Sequence, residues 1–173
     1  MILSFASASS AGDFERLMLP HLEAAFRLAH AVTRDRAAAQ DVVQDSYLKA
    51  FQAWGRYRDG NARAWLLTIV RRQAYDWLRR ERAHDLVDIE EADVPGQAGT
   101  QESDLIRDET AGRLRAAVMA LPLAFRETVI LKDIEDMPYK TIADMLGVPI
   151  GTVMSRLARG RELLRQSLEE LRP

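Results

Sequence analysis

The chain contains no cysteine. That excludes a disulfide scaffold, a cysteine-based zinc site, an iron–sulfur cluster and thiol catalysis, and it fits a reducing compartment. Histidine is also scarce: His21, His30 and His84 are scattered and offer no metal-ligand spacing, so no metal is expected. No apolar run reaches the roughly 18 residues of a membrane helix, so no membrane insertion is expected. The opening stretch MILSFASASSAG lacks the basic region of a signal peptide and reads as a loose tail over residues 1–12. Aromatic residues make up only 7%, and few segments alternate as strands do, so the fold class reads as all-α. There is no phosphate-binding glycine loop, no nucleophile elbow and no carboxylate pair in a pocket context, so neither an enzyme nor a cofactor is expected. What remains is 173 residues with 47% apolar side chains, enough for one domain or two small ones.

The net charge of −2 hides a division. Residues 85–109 hold nine acids and a single base, Arg107, for a local charge of −8, which leaves the rest of the chain at +6. The middle of that stretch, VPGQAGTQES, is rich in turn formers and poor in apolar periodicity. It carries too little apolar surface to offset the entropy of ordering. The chain therefore reads as two small, mildly basic helical domains, 13–83 and 107–173, joined by a flexible acidic linker over 84–106.

In the first domain Phe14, Leu17, Leu22, Ala25, Phe26 and Ala29 recur at helical spacing, with Pro20 forcing a restart. Thr33-Arg34-Asp35 is a polar break. The next helix, about 36–54, puts Val43, Tyr47, Ala50, Phe51 and Trp54 on a core stripe. Asp41, Gln44, Asp45 and Leu48 form a second stripe, which periodicity alone reads as a solvated face. Residues 55–61 (GRYRDGN) form a loop. A long helix, about 62–83, has Leu66, Ile69, Val70, Ala74, Trp77 and Leu78 as its core stripe. Its other face carries Arg63, Arg71, Arg72, Arg79, Arg80 and Arg82 against Asp76 and Glu81, with Trp65 and Tyr75 interleaved. That pattern suits either single-stranded nucleic acid or an ordinary basic helix with its aromatics buried.

The second domain begins with an amphipathic helix through Leu114, Val118 and Leu121, then another through Phe125, Val129, Ile130 and Ile134. The most specific stretch follows: YKTIADMLGVPIGTVMSRLARGRELL. Thr141–Leu146 reads as a short helix, Gly147 as a turn requiring positive φ, and Pro149 as the approach to a new helix beginning near Gly151. Val153, Leu157, Gly160 and Leu164 face inward. This is a helix-turn-helix, whose second helix enters the major groove. Thr152, Ser155, Arg156 and Arg159 share a face suited to base edges, with Lys140 and Arg161 placed as flanking phosphate contacts.

These segments together resemble a bacterial sigma factor of the extracytoplasmic function (ECF) class of the sigma-70 family. AAAQDVVQDSYLKAFQAW is similar to sigma region 2.2, ARAWLLTIVRRQAYDWLRRER to regions 2.3 and 2.4, and LPLAFRETVILKDIEDMPYKTIADMLGVPIGTVMSRLARGRELLR to region 4. The resemblance implies a minimal sigma, region 2 plus region 4, with no region 3 and no C-terminal regulatory domain. It implies that Asp41, Gln44, Asp45 and Leu48 dock on the clamp helices of the RNA polymerase β′ subunit, and that region 4 meets the β flap. It implies that Arg56, Asp59 and Asn61 lie in a loop that captures a flipped base of the promoter −10 element, and that Arg63, Thr68, Arg71, Arg72, Tyr75, Asp76 and Arg79 approach the melted strand. Lys140, Thr152, Ser155, Arg156, Arg159 and Arg161 would bind the −35 element.

Three departures stand out. Met154 occupies a position that is often basic in the class, Ala158 one that is often bulkier, and PLAFR (122–126) differs from the commoner Pro–Pro–Arg–Gln–Arg. The implied function is that of an alternative, non-enzymatic sigma factor in the cytoplasm, with core RNA polymerase, promoter DNA and an anti-sigma factor as partners. Two other readings stay open: a sigma mimic that titrates an anti-sigma factor, and a plain helix-turn-helix regulator acting without polymerase.

Overall fold

In a computed structural model, which describes residues 8–58, 60–85 and 107–170, every regular element is helical. The chain divides into two units, one ending at Glu81 and the other beginning at Arg82. The linker residues 86–106, the first seven residues and Asp59 lie outside the described residues.

The first unit contains α1 (Ala8–Met18), α2 (Leu22–Thr33), α3 (Arg36–Gln52) and α4 (Ala62–Asp85). The start of α1 at Ala8 corrects the expectation of a loose tail for residues 8–12, while residues 1–7 lie outside the described residues. Phe14 and Met18 are buried, so α1 has an apolar face worth folding. Pro20 lies in the short 3₁₀ turn Leu19–His21 between α1 and α2, where a missing N–H is tolerated. Arg34 ends α2 in the left-handed conformation (φ 57°), its N–H donating to the His30 carbonyl at 2.9 Å. Asp35 then caps α3, its Oδ1 accepting the Ala38 N–H at 2.7 Å.

The core of this unit is Phe14, Met18, Ala24, Ala25, Leu28, Ala29, Ala31, Val32, Ala38, Ala39, Val42, Val43, Ala50, Leu66, Leu67, Val70 and Ala74. The many alanines bring α2 and α3 close together. Two expectations need correction. Phe51 is 43% exposed rather than core, although its ring meets Phe14 of α1 edge-on. On α4, Leu67 is fully buried, whereas Ile69, Trp77 and Leu78 are only half-buried.

The second unit contains α5 (Arg107–Ala120), α6 (Leu123–Val129), α7 (Tyr139–Leu146) and α8 (Ile150–Glu170). α5 buries Ala117 and Val118 near its C-terminal end, and Leu121 just beyond it is buried as well, in contact with α6 and α8. Leu114, one turn before Val118, is exposed, contrary to the amphipathic reading. The Pro122 carbonyl accepts the Phe125 and Arg126 N–H groups, both at 3.0 Å, and so starts α6. Arg126 is buried, and its Nη1 donates to the Met119 carbonyl at 2.7 Å, tying α6 to the end of α5.

α6 continues into a π-helical turn, Ile130–Ile134. There the Glu135 N–H donates to the Ile130 carbonyl at 2.9 Å, five residues back. The widened turn rotates the following residues relative to an α-helix. Ile134, expected in the core, is therefore exposed, while Glu135 and Met137 are buried.

Candidate functional site: a helix-turn-helix and two exposed helix faces

Gly147 ends α7 with φ 66°, and the Val148 N–H donates to the Ala143 carbonyl at 3.1 Å. This left-handed cap reverses the chain within a few residues. The Pro149 carbonyl then accepts the N–H groups of Thr152 (3.0 Å) and Val153 (3.2 Å), which starts α8. Ile142, Ala143, Leu146, Val153 and Leu157 pack inside this helix pair. Phe125, Leu163 and Leu164 close the core around Leu121, Val129 and Leu157.

The outer side of α8 carries Met154, Ser155, Ala158 and Arg159, all exposed, while Thr152 and Arg156 are half-buried at its edge. The Ser155 hydroxyl donates to the Thr152 carbonyl at 3.0 Å. The two flanking bases have acidic neighbours. Lys140 Nζ meets Asp144 Oδ2 at 3.0 Å along α7. The Arg161 guanidinium reaches back 28 residues to both carboxylate oxygens of Asp133, with Nε at 3.1 Å and Nη2 at 2.5 Å. The hydrogen bond to Asp133 raises the Arg161 pKa above the usual arginine value, so Arg161 ties α8 to the segment before α7. Met154 and Ala158, noted in the sequence as departures from the class, are both exposed on the side of α8 away from the buried Val153, Leu157 and Gly160.

In the first unit Asp41, Gln44, Asp45 and Leu48 are all exposed along α3, and Leu48 is 56% exposed. Their backs are the buried Val42, Val43 and Ser46, whose hydroxyl donates to the Val42 carbonyl. The stripe is a flat acidic face with one apolar residue at its end.

Between α3 and α4 the chain makes a 3₁₀ turn, Trp54–Arg56, beneath an aromatic cluster. Trp54 and Tyr57 stack at 5.0 Å with planes 6° apart, and Trp65 leans on both. The Tyr57 hydroxyl donates to the Gly60 carbonyl at 2.8 Å. Trp65 is thus part of the packing. Arg56 and Asn61 are exposed on the loop, and Asn61 Oδ1 accepts the Ala64 N–H at 3.0 Å, capping α4.

Along α4, Thr68, Arg71, Arg72, Tyr75, Asp76 and Arg79 lie on one face. The Arg71 guanidinium sits over the Tyr75 ring, 4.5 Å from its centre, and Arg79 pairs with Asp76. The Thr68 hydroxyl donates to the Ala64 carbonyl at 2.7 Å. Arg63 is not brought together with them. It precedes the buried Leu66, Leu67 and Val70 by three, four and seven residues and so lies on their side of the helix.

Among the described residues no three metal-ligating side chains converge, and no helix is long and apolar enough to cross a membrane.

The geometry defines a class first: a protein of two units, all-helical among the described residues, one of which contains a helix-turn-helix. Comparison with known proteins narrows it. Residues 17–84 match the model of Sigma-70 region 2, and residues 111–164 that of Sigma-70, region 4. The chain is 34% identical over 166 residues to the ECF RNA polymerase sigma factor SigM of Mycobacterium tuberculosis, covering 94% of this chain and 82% of that one. It is 32% identical over 158 residues to ECF RNA polymerase sigma factor SigE of Mycolicibacterium smegmatis, covering 90% of this chain and 62% of that relative's length. It also resembles, with a TM-score of 0.71 and 29% identity, the sigma factor RpoE of Bartonella quintana, solved in complex with the anti-sigma factor NepR, over 92% of this chain and 99% of that one. The chain belongs to the ECF sigma factors of the sigma-70 family.

Proposed function

We propose that this protein is an alternative sigma factor that brings core RNA polymerase to specific promoters and opens the −10 element. The observation that carries this reading is the pairing, in one chain, of a region 2 unit with a region 4 helix-turn-helix whose second helix exposes Ser155 and Arg159. The chain makes no bonds. The nucleotidyl transfer belongs to the polymerase, and the protein acts where that enzyme acts, in the cytoplasm.

Each face then has a task. Asp41, Gln44, Asp45 and Leu48 dock on the β′ clamp helices, and the second unit meets the β flap. Thr152, Ser155, Arg156 and Arg159 anchor duplex DNA at −35, with Lys140 and Arg161 flanking. Arg56, Asp59 and Asn61 hold a flipped −10 base beside the Trp54–Tyr57–Trp65 cluster, while Thr68, Arg71, Arg72, Tyr75, Asp76 and Arg79 follow the unpaired strand; Arg63, on the other side of α4, is left out of that face. Extruding a base costs a few kcal/mol, which contacts in the loop must offset, so recognition and melting are one event. An anti-sigma factor completes the partner set, as NepR does for its sigma factor.

The test is transcription from fragmented genomic DNA with purified core polymerase, with and without this protein. Discrete new transcripts sharing upstream −35 and −10 elements are expected. Tight binding to core without transcripts would favour a sigma mimic. Absence of binding to core would overturn the region 2 roles and favour a plain helix-turn-helix regulator.

A further inference from the structure

We propose that Met154 and Ala158 read the 5-methyl groups of thymines in the −35 major groove. The inference rests on the sigma-factor reading above and deepens it at one surface.

Successive residues of an α-helix turn by about 100°. The buried residues Val153, Leu157 and Gly160 therefore fix the opposite side of α8, where Ser155, Ala158 and Arg159 fall, with Met154 exposed at the edge of that side next to Ala158. Met154 is 55% exposed, more than any other large apolar residue of the described second unit. Its side chain has no core to fill. Ile150–Arg161 carries Arg156, Arg159 and Arg161 and no acid, so this length of helix suits a polyanion. An apolar surface between arginines fits a groove whose one apolar feature is the thymine methyl group.

The two side chains divide the work with their polar neighbours. Arg159 can chelate guanine or hold a phosphate. Ser155, whose hydroxyl proton is directed at the Thr152 carbonyl, presents lone pairs to an amino group of adenine or cytosine. Met154 and Ala158 are one helical turn apart, about 6 Å. That is within two base-pair steps of about 3.4 Å, so the methyl groups they read belong to base pairs one or two steps apart.

The experiment uses the full chain bound to core RNA polymerase. A promoter is first selected from a random duplex library. Each thymine of its −35 element, on either strand, is then replaced singly by deoxyuridine, which removes only the methyl group. At one or two positions wild-type affinity should fall roughly fourfold, the value of one buried methyl group. Met154→Ala should bind more weakly overall and be indifferent to the methyl at one of those positions. Met154→Arg should still bind and should shift preference at that position toward guanine, which shows that the fold is intact.

The inference is overturned if the selected element has no A·T pair in the −35 footprint, or if every deoxyuridine is silent. It is also overturned if Met154→Ala retains the full methyl dependence. A selection that yields no sequence-specific footprint would instead overturn the sigma-factor reading itself.

Discussion

A β-carbon placed on Gly160 would stand 2.8 Å from Cγ2 of Val129 and 3.4 Å from the β-carbon of Phe125. Gly160 is where α8 crosses α6, and Val129 is a buried, β-branched residue that cannot swing aside. Gly160→Ala gains up to about 1 kcal/mol of helix propensity. It also overpacks the contact, at a cost of about 1–3 kcal/mol. A net loss of about 1–2 kcal/mol is expected in denaturant unfolding of the second unit. Gly112 on α5 is the control. Nothing lies within 4 Å of its β-position, so Gly112→Ala should be neutral or stabilising. Equal behaviour of the two variants would mean that α6 and α8 do not meet at Gly160.

The Tyr47 hydroxyl donates to the Met18 carbonyl at 2.8 Å, satisfying an orphan acceptor at the end of α1. Burial pushes its pKa up to about 12. The protonated phenol is thus favoured by folding. The stability it lends is complete below the unfolded value near 10 and is lost as pH rises from there toward about 12. Among the four tyrosines, one should titrate near 12 in ultraviolet absorbance, and Tyr47→Phe should abolish that late step. The same variant should cost about 1 kcal/mol of stability at neutral pH. If the late titration persists in Tyr47→Phe, it belongs to another tyrosine.

Much of this molecule was legible in its sequence. Pro20, the Thr33–Asp35 break and Gly147 each force a local chain conformation, and helices end or begin at all three. Val153, Leu157 and Gly160 defined the inner side of α8 by spacing alone. The misses have a common cause: periodicity shows that a residue could be buried, not whether a partner arrives to bury it. Leu114 and Phe51 sit on apolar stripes that run past the edge of their neighbours. Ile134 was lost differently, because a π turn shifts the register by a fraction of a turn and no residue type announces it. The exposure of the α4 arginines Arg72, Arg79 and Arg80 was legible from spacing, whereas their task was not. The ion pair between Arg161 and Asp133 joins residues 28 apart and needs the fold to be seen.

The junction between α2 and α3 offers variants of opposite sign. Arg34 holds a left-handed conformation (φ 57°) that glycine adopts without steric cost, so Arg34→Gly should stabilise by about 0.5–1 kcal/mol. Asp35→Ala removes the cap on the Ala38 N–H and should cost about 1 kcal/mol. Thermal unfolding at fixed pH measures both. A gain in Asp35→Ala would contradict the cap.

The acidic stripe of α3 should behave differently from that cap. Asp41 and Asp45 are exposed, so reversing both charges (Asp41→Lys with Asp45→Lys) should leave stability within about 0.5 kcal/mol. Affinity for core polymerase should nonetheless fall by at least about tenfold, and the loss should shrink at high salt. Unchanged affinity would remove the stripe from the docking surface.

The three bases near the recognition helix should separate by mechanism. Arg159 is exposed on the outer side of α8; if that side reads bases as proposed, Arg159→Ala should cost about 1–3 kcal/mol of binding and relax specificity at one base position. Lys140 pairs with its helical neighbour Asp144 on an exposed surface, so Lys140→Ala should weaken binding across all sequences and lower the salt slope by about one. Arg161 is the informative case, because Asp133 already holds its guanidinium. Arg161→Ala removes both the inter-helix tie and any phosphate contact, whereas Asp133→Asn removes the ion pair and keeps the arginine. The exposed pair is worth at most about 1 kcal/mol of stability, so both variants should fold. If Arg161 touches DNA, Asp133→Asn frees it and promoter affinity rises, while Arg161→Ala lowers it. If its task is only to tie α8 in place, both variants weaken binding in the same direction. Fluorescence anisotropy with a −35 duplex and holoenzyme distinguishes the two by the sign of one change.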